Sequence, residues 1–219
     1  MTTNQRQNIY WEHEDFYRRY NHPVVRFFAQ QRLQYINQIL DLSQLRNVLD
    51  VGCGNGFSTF YLQEYIADIL AVDRSYAMLR KHPLTNKVIR ADAQLLPFAS
   101  NSFDLVNGWE ILHHVEQPQY VVKEMARVSQ RYVLIAEPNR NNIAQAAFAL
   151  WDREHRWVLR YSLSFLRHLF TYAELEVVYA GNGGWIFPNV TPSWLLPILA
   201  QLPYRFPLGI SNWILGHKR

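Results

Sequence analysis

The stretch Asp50-Val51-Gly52-Cys53-Gly54-Asn55-Gly56 constrains the fold of this chain more than any other. It follows a short apolar run from Asn47 to Val51 and precedes a segment from Phe57 to Tyr65 that reads as a helix. Glycines at alternate positions let a backbone turn sharply and bring a ligand close to main-chain N–H groups that side chains would otherwise shield. A dinucleotide-binding loop would carry its third glycine at position 57, where this chain has Phe57, so the spacing disfavours a dehydrogenase.

The strand, turn and helix open a longer alternation. Ile69 to Asp73 reads as a second strand, Ser75 to Lys81 as a helix closed by Pro83, and Lys87 to Ala91 as a third strand. Phe103 to Asn107 and Tyr132 to Ala136 add two more, with a helix over Gln119 to Val128 between them. Such alternation predicts a parallel sheet wrapped by helices. Upstream, two N-terminal helices are expected: one within Asn8 to Tyr20, and one carrying Val25, Phe28, Ile36, Ile39 and Leu40 at helical spacing.

Beyond Pro138 the pattern loosens into helical stretches over 143–151 and 164–170, a sixth strand at Glu176 to Ala180 and a last strand at Ser211 to Gly216. Prolines at 188, 192, 197, 203 and 207 break the chain between those strands while Trp185, Phe187, Trp194, Tyr204 and Phe206 supply apolar surface. A solvated linker would not carry so many aromatics, so this is an irregular cap over the site. At 219 residues one domain is expected, with a helical lid over 1–45, a cofactor-binding core over 46–138, a cap over 139–171 and 185–209, and the last two strands in 172–184 and 210–219.

Asp73 stands at the end of the second strand, about 20 residues past the turn, where an acid can accept hydrogen bonds from both hydroxyls of a ribose. Asp92 follows the third strand at the matching edge, so Asp50, Asp73 and Asp92 are expected to converge on one crevice. That negative charge suits a cofactor bearing a sulfonium and an ammonium and repels a pyrophosphate.

Over roughly Asn47 to Pro138 the sequence resembles the class I S-adenosylmethionine-dependent methyltransferases, in particular their small-molecule branch. The residues that carry the resemblance are Val48 to Gly56, Asp73, Ala91-Asp92-Ala93, Leu96-Pro97-Phe98, Ser102 to Val106, and Ile111-Leu112-His113-His114-Val115, in the family's order. It implies a doubly wound, Rossmann-like α/β fold, a mostly parallel seven-stranded sheet with an antiparallel last strand, and S-adenosyl-L-methionine as cofactor. It further implies that Gly52, Cys53 and Gly54 pass the methionine part and that Asp50 orients its ammonium directly or through water. Asp73 would hold the ribose, while Arg74, Met78, Asp92 and Ala93 would frame the adenine. Trp109 would offer backbone near the sulfonium, and Tyr10 and Tyr17 would close over the cofactor from the N-terminal helices. One departure is Arg127-Val128-Ser129-Gln130-Arg131, where the family often has a Gly-Gly turn.

A base is needed only where the acceptor must lose a proton as it attacks. His114 is the first candidate because it follows the fourth strand at the catalytic rim and an imidazole titrates near neutral pH; packing or capping is its alternative role. Glu137, ending the fifth strand, is the second. Cys53 fits between two turn glycines as a small residue and has no paired histidine in sequence reach, which favours packing over nucleophilic chemistry. The histidines lack metal-ligand spacing, and no metal is expected.

The expected activity is methyl transfer to a small or medium-sized, apolar acceptor held under the aromatic cap. Alternatives are a nucleic-acid or protein methyltransferase and a non-catalytic protein that senses the cofactor. Against the first, the fourth predicted strand runs into Asn107-Gly108-Trp109-Glu110, without the Asn/Asp-Pro-Pro-aromatic pattern of amino-methylating nucleic-acid enzymes. The net charge of +4 forms no basic stripe, so no nucleic-acid partner is expected. The apolar C-terminal segment also suits docking at a membrane face or a homodimer contact. One cysteine, no apolar leader after Met1 and no stretch near the roughly 20 residues of a membrane span make the cytoplasm the expected location.

Overall fold

The computed structural model describes residues 18–151 and 153–219. Its centre is β1 (Asn47–Val51), buried from Val48 onward because parallel strands on both sides and helices on both faces cover it. β2 (Asp68–Asp73) and β3 (Val88–Arg90) lie to one side; β4 (Phe103–Trp109), β5 (Ser129–Pro138), β6 (Leu175–Gly183) and β7 (Ser211–Lys218) lie to the other. The seven strands run in the order β3-β2-β1-β4-β5-β7-β6, parallel except for β7, which is antiparallel to both β5 and β6. This is the doubly wound arrangement that the alternating sequence pattern predicts. The order reverses at β1, so the carboxyl ends of β1 and β4 diverge there and leave a crevice.

One face of the sheet is covered by α1 (Pro23–Ile39) and α2 (Phe57–Leu62), through Leu33, Ile36, Tyr61 and Leu62 packed on Leu105, Leu134 and Trp213. α1 starts where Pro23 pre-sets the first helical φ and His22 accepts the Val24 N–H on Nδ1 at 3.2 Å. The other face is covered by α4 (Pro118–Val128) and α6 (Leu163–Tyr172), with Val121, Met125, Leu166 and Phe170 against Val106, Val133 and Ile214. α3 (Tyr76–Leu79) follows β2 and is capped by Ser75, whose hydroxyl accepts the Met78 N–H.

Two helices are shorter than their sequence patterns predict. The segment expected to be helical to Tyr65 leaves the α-helix after Leu62, because Glu64 and Tyr65 bond back to Tyr61 and Leu62 in tighter three-residue steps. The helix expected over Ser75 to Lys81 spans only Tyr76–Leu79, since Lys81 and His82 make the same tighter bonds ahead of Pro83. The last two strands are longer than expected because they pair with each other along their whole length. The N-terminal helix expected within Asn8 to Tyr20 lies outside the described residues up to position 17, Tyr10 and Tyr17 included, and residues 18–20 are not helical.

The crossing from β5 to β6 carries α5 (Ile143–Trp151) and a run of 3-10 turns, Arg153–Arg160. The segment between β6 and β7 is irregular, with α7 (Leu196–Leu199) its short α-helix. Trp185 stacks on Phe206 with ring centroids 4.2 Å apart and donates Nε1–H to the Pro203 carbonyl. Arg18 ties this segment to the N-terminal side, donating from Nη1 to the carbonyls of Pro188 and Thr191. Among the described residues no helix is long and apolar enough to cross a membrane.

Candidate active site

The loop after β1 turns on three glycines with positive φ: Gly52 at 73°, Gly54 at 53° and Gly56 at 85°. They serve different ends. A Cβ on Gly52 would lie 2.5 Å from Ile111 Cδ1, and one on Gly56 would lie 2.4 Å from the His82 ring, so both let neighbouring groups pack against the loop. A Cβ on Gly54 would meet nothing within 4 Å, because that face opens into a cavity. The loop is tied to β2 by the N–H groups of Gly52 and Cys53, which both donate to the Val72 carbonyl at 2.8 and 3.0 Å.

Beneath the loop lies a closed polar network. Asp50 is 1% exposed; its Oδ2 accepts from Ser58 at 2.5 Å and Thr59 at 2.6 Å, and its Oδ1 accepts from Asn107 Nδ2 at 2.9 Å. Burial pushes its pKa up, and these three hydrogen bonds oppose the rise. His82 Nδ1 accepts the Leu84 N–H at 3.0 Å, which fixes the proton on Nε2, 3.2 Å from Thr59 Oγ1. A relay therefore runs from His82 through Thr59 to Asp50. Burial drives the imidazole down to about 4 and keeps it neutral. The three acids accordingly do not share one crevice: Asp73 and Asp92 line the cavity, whereas Asp50 is spent on holding α2 and β4 to β1.

The cavity measures about 1070 Å³ and follows the carboxyl ends of β1, β2, β3 and β4. On one side Asp73 accepts the Gly54 N–H on Oδ2 and the Ser75 N–H on Oδ1, each at 2.8 Å. Arg74, Met78, Asp92 and Ala93 line the same cavity, with Asp92 Oδ1 accepting the Gln94 N–H and Oδ2 3.9 Å from the exposed Arg74 guanidinium. Phe28, Val115, Phe148, Val158, Phe187 and Val190 line the other side and make it apolar.

Trp109 and Glu110 line the cavity at the carboxyl end of β4, which in the sheet separates β1, β2 and β3 from β5. Trp109 ends β4 with its ring 6.0 Å from both Phe57 and Trp213. Glu110 has a left-handed φ of 60°, which a residue with a long side chain adopts only when its surroundings hold it there. Its N–H donates to the Ala136 carbonyl at 2.7 Å and its Oε1 accepts from Arg32 at 2.6 Å. Arg32 is 1% exposed, donates also to Ser211 Oγ, and has its guanidinium 3.8 Å from the Phe28 ring centre and 5.3 Å from those of Trp109 and Trp213. Burying that charge costs several kcal/mol. Glu110 and three aromatic faces offset it.

His114 lines the cavity. Glu137 does not. It is fully buried, and its carboxylate accepts the N–H groups of Leu112 and His113 and contacts His113 Nδ1 at 2.7 Å. It thereby holds the 3-10 turn Leu112–His114 that presents His114. Cys53 touches the cavity but its side chain is 2% exposed and packs on Ala71 and Leu79. Burial raises its thiol pKa well above the usual value, with the Asp73 and Asp50 charges adding to the rise.

Residues 49–134 match the family described as a methyltransferase domain. This core is similar to the methyltransferase domains of that family. The chain is 36% identical over 110 residues to a malonyl-[acyl-carrier protein] O-methyltransferase of Legionella pneumophila, covering 45% of this chain and 36% of that one. It is 31% identical over 102 residues to a ubiquinone biosynthesis O-methyltransferase of Coxiella burnetii, covering 43% of each. The aligned region thus spans less than half the length of these relatives. The fold likeness extends much further: an S-adenosylmethionine-dependent methyltransferase structure from Thermotoga maritima superposes with a TM-score of 0.70 over 90% of this chain and 92% of its own, at 19% identity. Magnesium protoporphyrin IX methyltransferase from Synechocystis, with S-adenosylhomocysteine bound, superposes at 0.62 over 88% and 84%, at 12% identity.

The residues of this core fit S-adenosyl-L-methionine as cofactor. The open face of Gly54 is a cradle that any Cβ would fill, and the Asp73 carboxylate stands beside it on the cavity wall. Sequence reasoning missed Arg32, Glu110 and His82. Arg32 carried a signal, since it lies at the fourth position after Phe28 and before Ile36, on the apolar stripe of α1. Nothing local marks the left-handed φ of Glu110 or the burial of His82.

Proposed function

We propose that this protein transfers a methyl group from S-adenosyl-L-methionine to a small or medium-sized apolar acceptor that carries a hydroxyl or similar donor group. The observation that carries this reading is the continuity of one cavity across two chemistries, the Asp73–Gly54 side and the apolar side, with Trp109 and Glu110 lining the same cavity. Pockets for a drug-sized ligand run to about 300–1,000 Å³, so this cavity has room for a cofactor and an acceptor together.

When bound, the cofactor supplies a methyl group that its sulfonium has already made electrophilic. Asp73 takes the ribose hydroxyls, and the backbone at Gly52, Cys53 and Gly54 passes the methionine part. Arg74, Met78, Asp92 and Ala93 frame the adenine. Asp50 acts beneath the loop, keeping its shape. Glu110 holds the acceptor: Oε1 is taken by Arg32, and Oε2 makes no hydrogen bond among the described residues, leaving it for an acceptor O–H. His114 is a second polar side chain lining the cavity, on a turn that Glu137 holds from β5. The apolar wall excludes water, and alignment of the kind such a cavity imposes is worth on the order of 7 kcal/mol.

The names of the relatives as O-methyltransferases support an oxygen acceptor. A cytoplasmic location belongs to the same reading, supported by the lone cysteine. The test is a transfer assay with methyl-labelled cofactor across a panel of apolar phenols, carboxylic acids and lipid-like alcohols. Labelled product from one of these classes supports the proposal. Tight cofactor binding with no product from any class supports a cofactor-sensing binding protein instead, and association with RNA or DNA at low salt supports a nucleic-acid enzyme.

A further inference from the structure

α5 has the sequence Ile-Ala-Gln-Ala-Ala-Phe-Ala-Leu-Trp, uncharged throughout, yet of its nine residues only Ala149 is buried. A helix this apolar on a globular protein ordinarily faces a core. Here Ile143 is 77% exposed, Leu150 66% and Trp151 90%. Ala144, Gln145 and Phe148 of the same helix line the cavity together with Val190, itself 71% exposed, so the exposed apolar surface is the rim of the cavity. Past Val190, Trp194 and Ile198 continue the exposed apolar run along the cap.

Charge identifies the occupant. Residues 1–138 contain fourteen Lys and Arg and fourteen Asp and Glu; residues 139–219 contain eight and four. Of those eight, Arg167, Lys218 and Arg219 line a separate hollow with Glu124 and Glu176, while residues 139–160, which carry the exposed helix, hold four Arg against Asp152 and Glu154, a net +2. Arg140 ahead of α5 is exposed, as are Arg156 and Arg160 in the 3-10 turns packed against it. A second copy docked face to face through this surface would bring like charges together, because a two-fold contact pairs each patch with itself. An anionic lipid surface complements both the charge and the apolar, tryptophan-bearing helix.

We propose that α5 and the segment from Val190 to Ile198 dock this protein on an anionic lipid bilayer, with the apolar half of the cavity opening at the contact. An acceptor dissolved in the bilayer then reaches the site without crossing water. What enters the cavity rests on the transferase reading above; the docking itself does not.

The test uses the full chain without cofactor or acceptor, floated with vesicles of phosphatidylcholine containing about a third phosphatidylglycerol and, separately, of phosphatidylcholine alone. The protein is expected to float with the anionic vesicles, to bind the neutral ones far less, and to be released as salt rises. Trp151→Glu is expected to lower the partition about tenfold or more, and Trp151→Phe to keep most of it. Since Trp151 is 90% exposed, both variants keep the fold, which circular dichroism checks. Wild type that stays in solution with both vesicles, floats equally with both, or sediments as a stable dimer that Trp151→Glu splits overturns the proposal. Methyl transfer to a detergent-solubilised acceptor reports separately on the enzyme, so the two readings fail independently.

Discussion

Arg32 on α1 and Glu110 at the end of β4 form an ion pair of 2.6 Å, although the two partners differ sharply in environment: Arg32 is 1% exposed and the Glu110 side chain 31%. The pair joins a helix packed on one face of the sheet to the rim of the cavity. Its asymmetry determines what each substitution costs.

Removing Glu110 strands a buried guanidinium, whereas removing Arg32 leaves a carboxylate that water still reaches. Glu110→Ala is therefore expected to cost about 3–5 kcal/mol, and Arg32→Met, which keeps apolar volume among Phe28, Trp109 and Trp213, no more than about 1–2 kcal/mol. Urea unfolding measures both. Equal losses would show that the charge is not what holds Arg32 in place.

Glu110→Gln keeps the shape and an oxygen for Arg32 while removing the proton acceptor. If Glu110 receives the acceptor's hydrogen, kcat falls about a hundredfold or more while cofactor affinity measured by calorimetry stays within about twofold. A variant of unchanged kcat would move the role to His114.

Asp73→Ala removes the carboxylate that takes the Gly54 and Ser75 N–H groups and faces the cavity. Calorimetric titration with S-adenosylmethionine is expected to show a loss of at least about 1.5 kcal/mol, the scale of deleting hydrogen bonds to a charged group. Undiminished affinity contradicts the ribose assignment.

The three loop glycines separate binding from folding. Gly54→Ala adds a methyl into open cavity and is expected to weaken cofactor binding, at a folding cost of about 1–2 kcal/mol for its left-handed backbone. Gly52→Ala and Gly56→Ala drive a Cβ to 2.5 Å from Ile111 and 2.4 Å from His82, adding about 1–3 kcal/mol of overpacking. Comparing unfolding midpoints with binding constants for all three distinguishes the roles, and the same stability loss in every variant would refute them.

His82 gives the fold a pH dependence. Its unfolded imidazole takes up a proton near 6.5, whereas the folded one stays neutral until about 4, so the unfolded state binds the extra proton between those values. The associated stability is full above about pH 6.5 and is lost as pH falls toward 4, up to about 3 kcal/mol in all. Unfolding free energy measured across this range should slope upward with pH, and His82→Gln should flatten the slope. An unchanged slope in the variant would assign it to other groups.

Much of the fold was legible because its rules are local. Alternating apolar runs and helical spacing specify parallel strands with helices between them, and Gly52, Gly54 and Gly56 mark a turn that other residues cannot make. Asp73 and Asp92 could be placed at the cavity because each ends or follows a strand of one sheet. Asp50 shows the limit of that logic. It also ends near a strand terminus, yet Ser58, Thr59 and Asn107, brought in by α2 and β4, engage both its oxygens below the loop.

What the sequence alone determined is therefore the sheet, the glycine turn, the nucleoside-facing acids and the resemblance that these carry, since periodicity and spacing record them directly. Tertiary structure alone decided that Glu110 rather than Glu137 reaches the cavity, that His82 is neutral beneath the loop, and that an apolar helix lies exposed beside the mouth. Those outcomes depend on contacts between residues 20 to 180 positions apart, where burial and partner, not residue type, set what a carboxylate or an imidazole does.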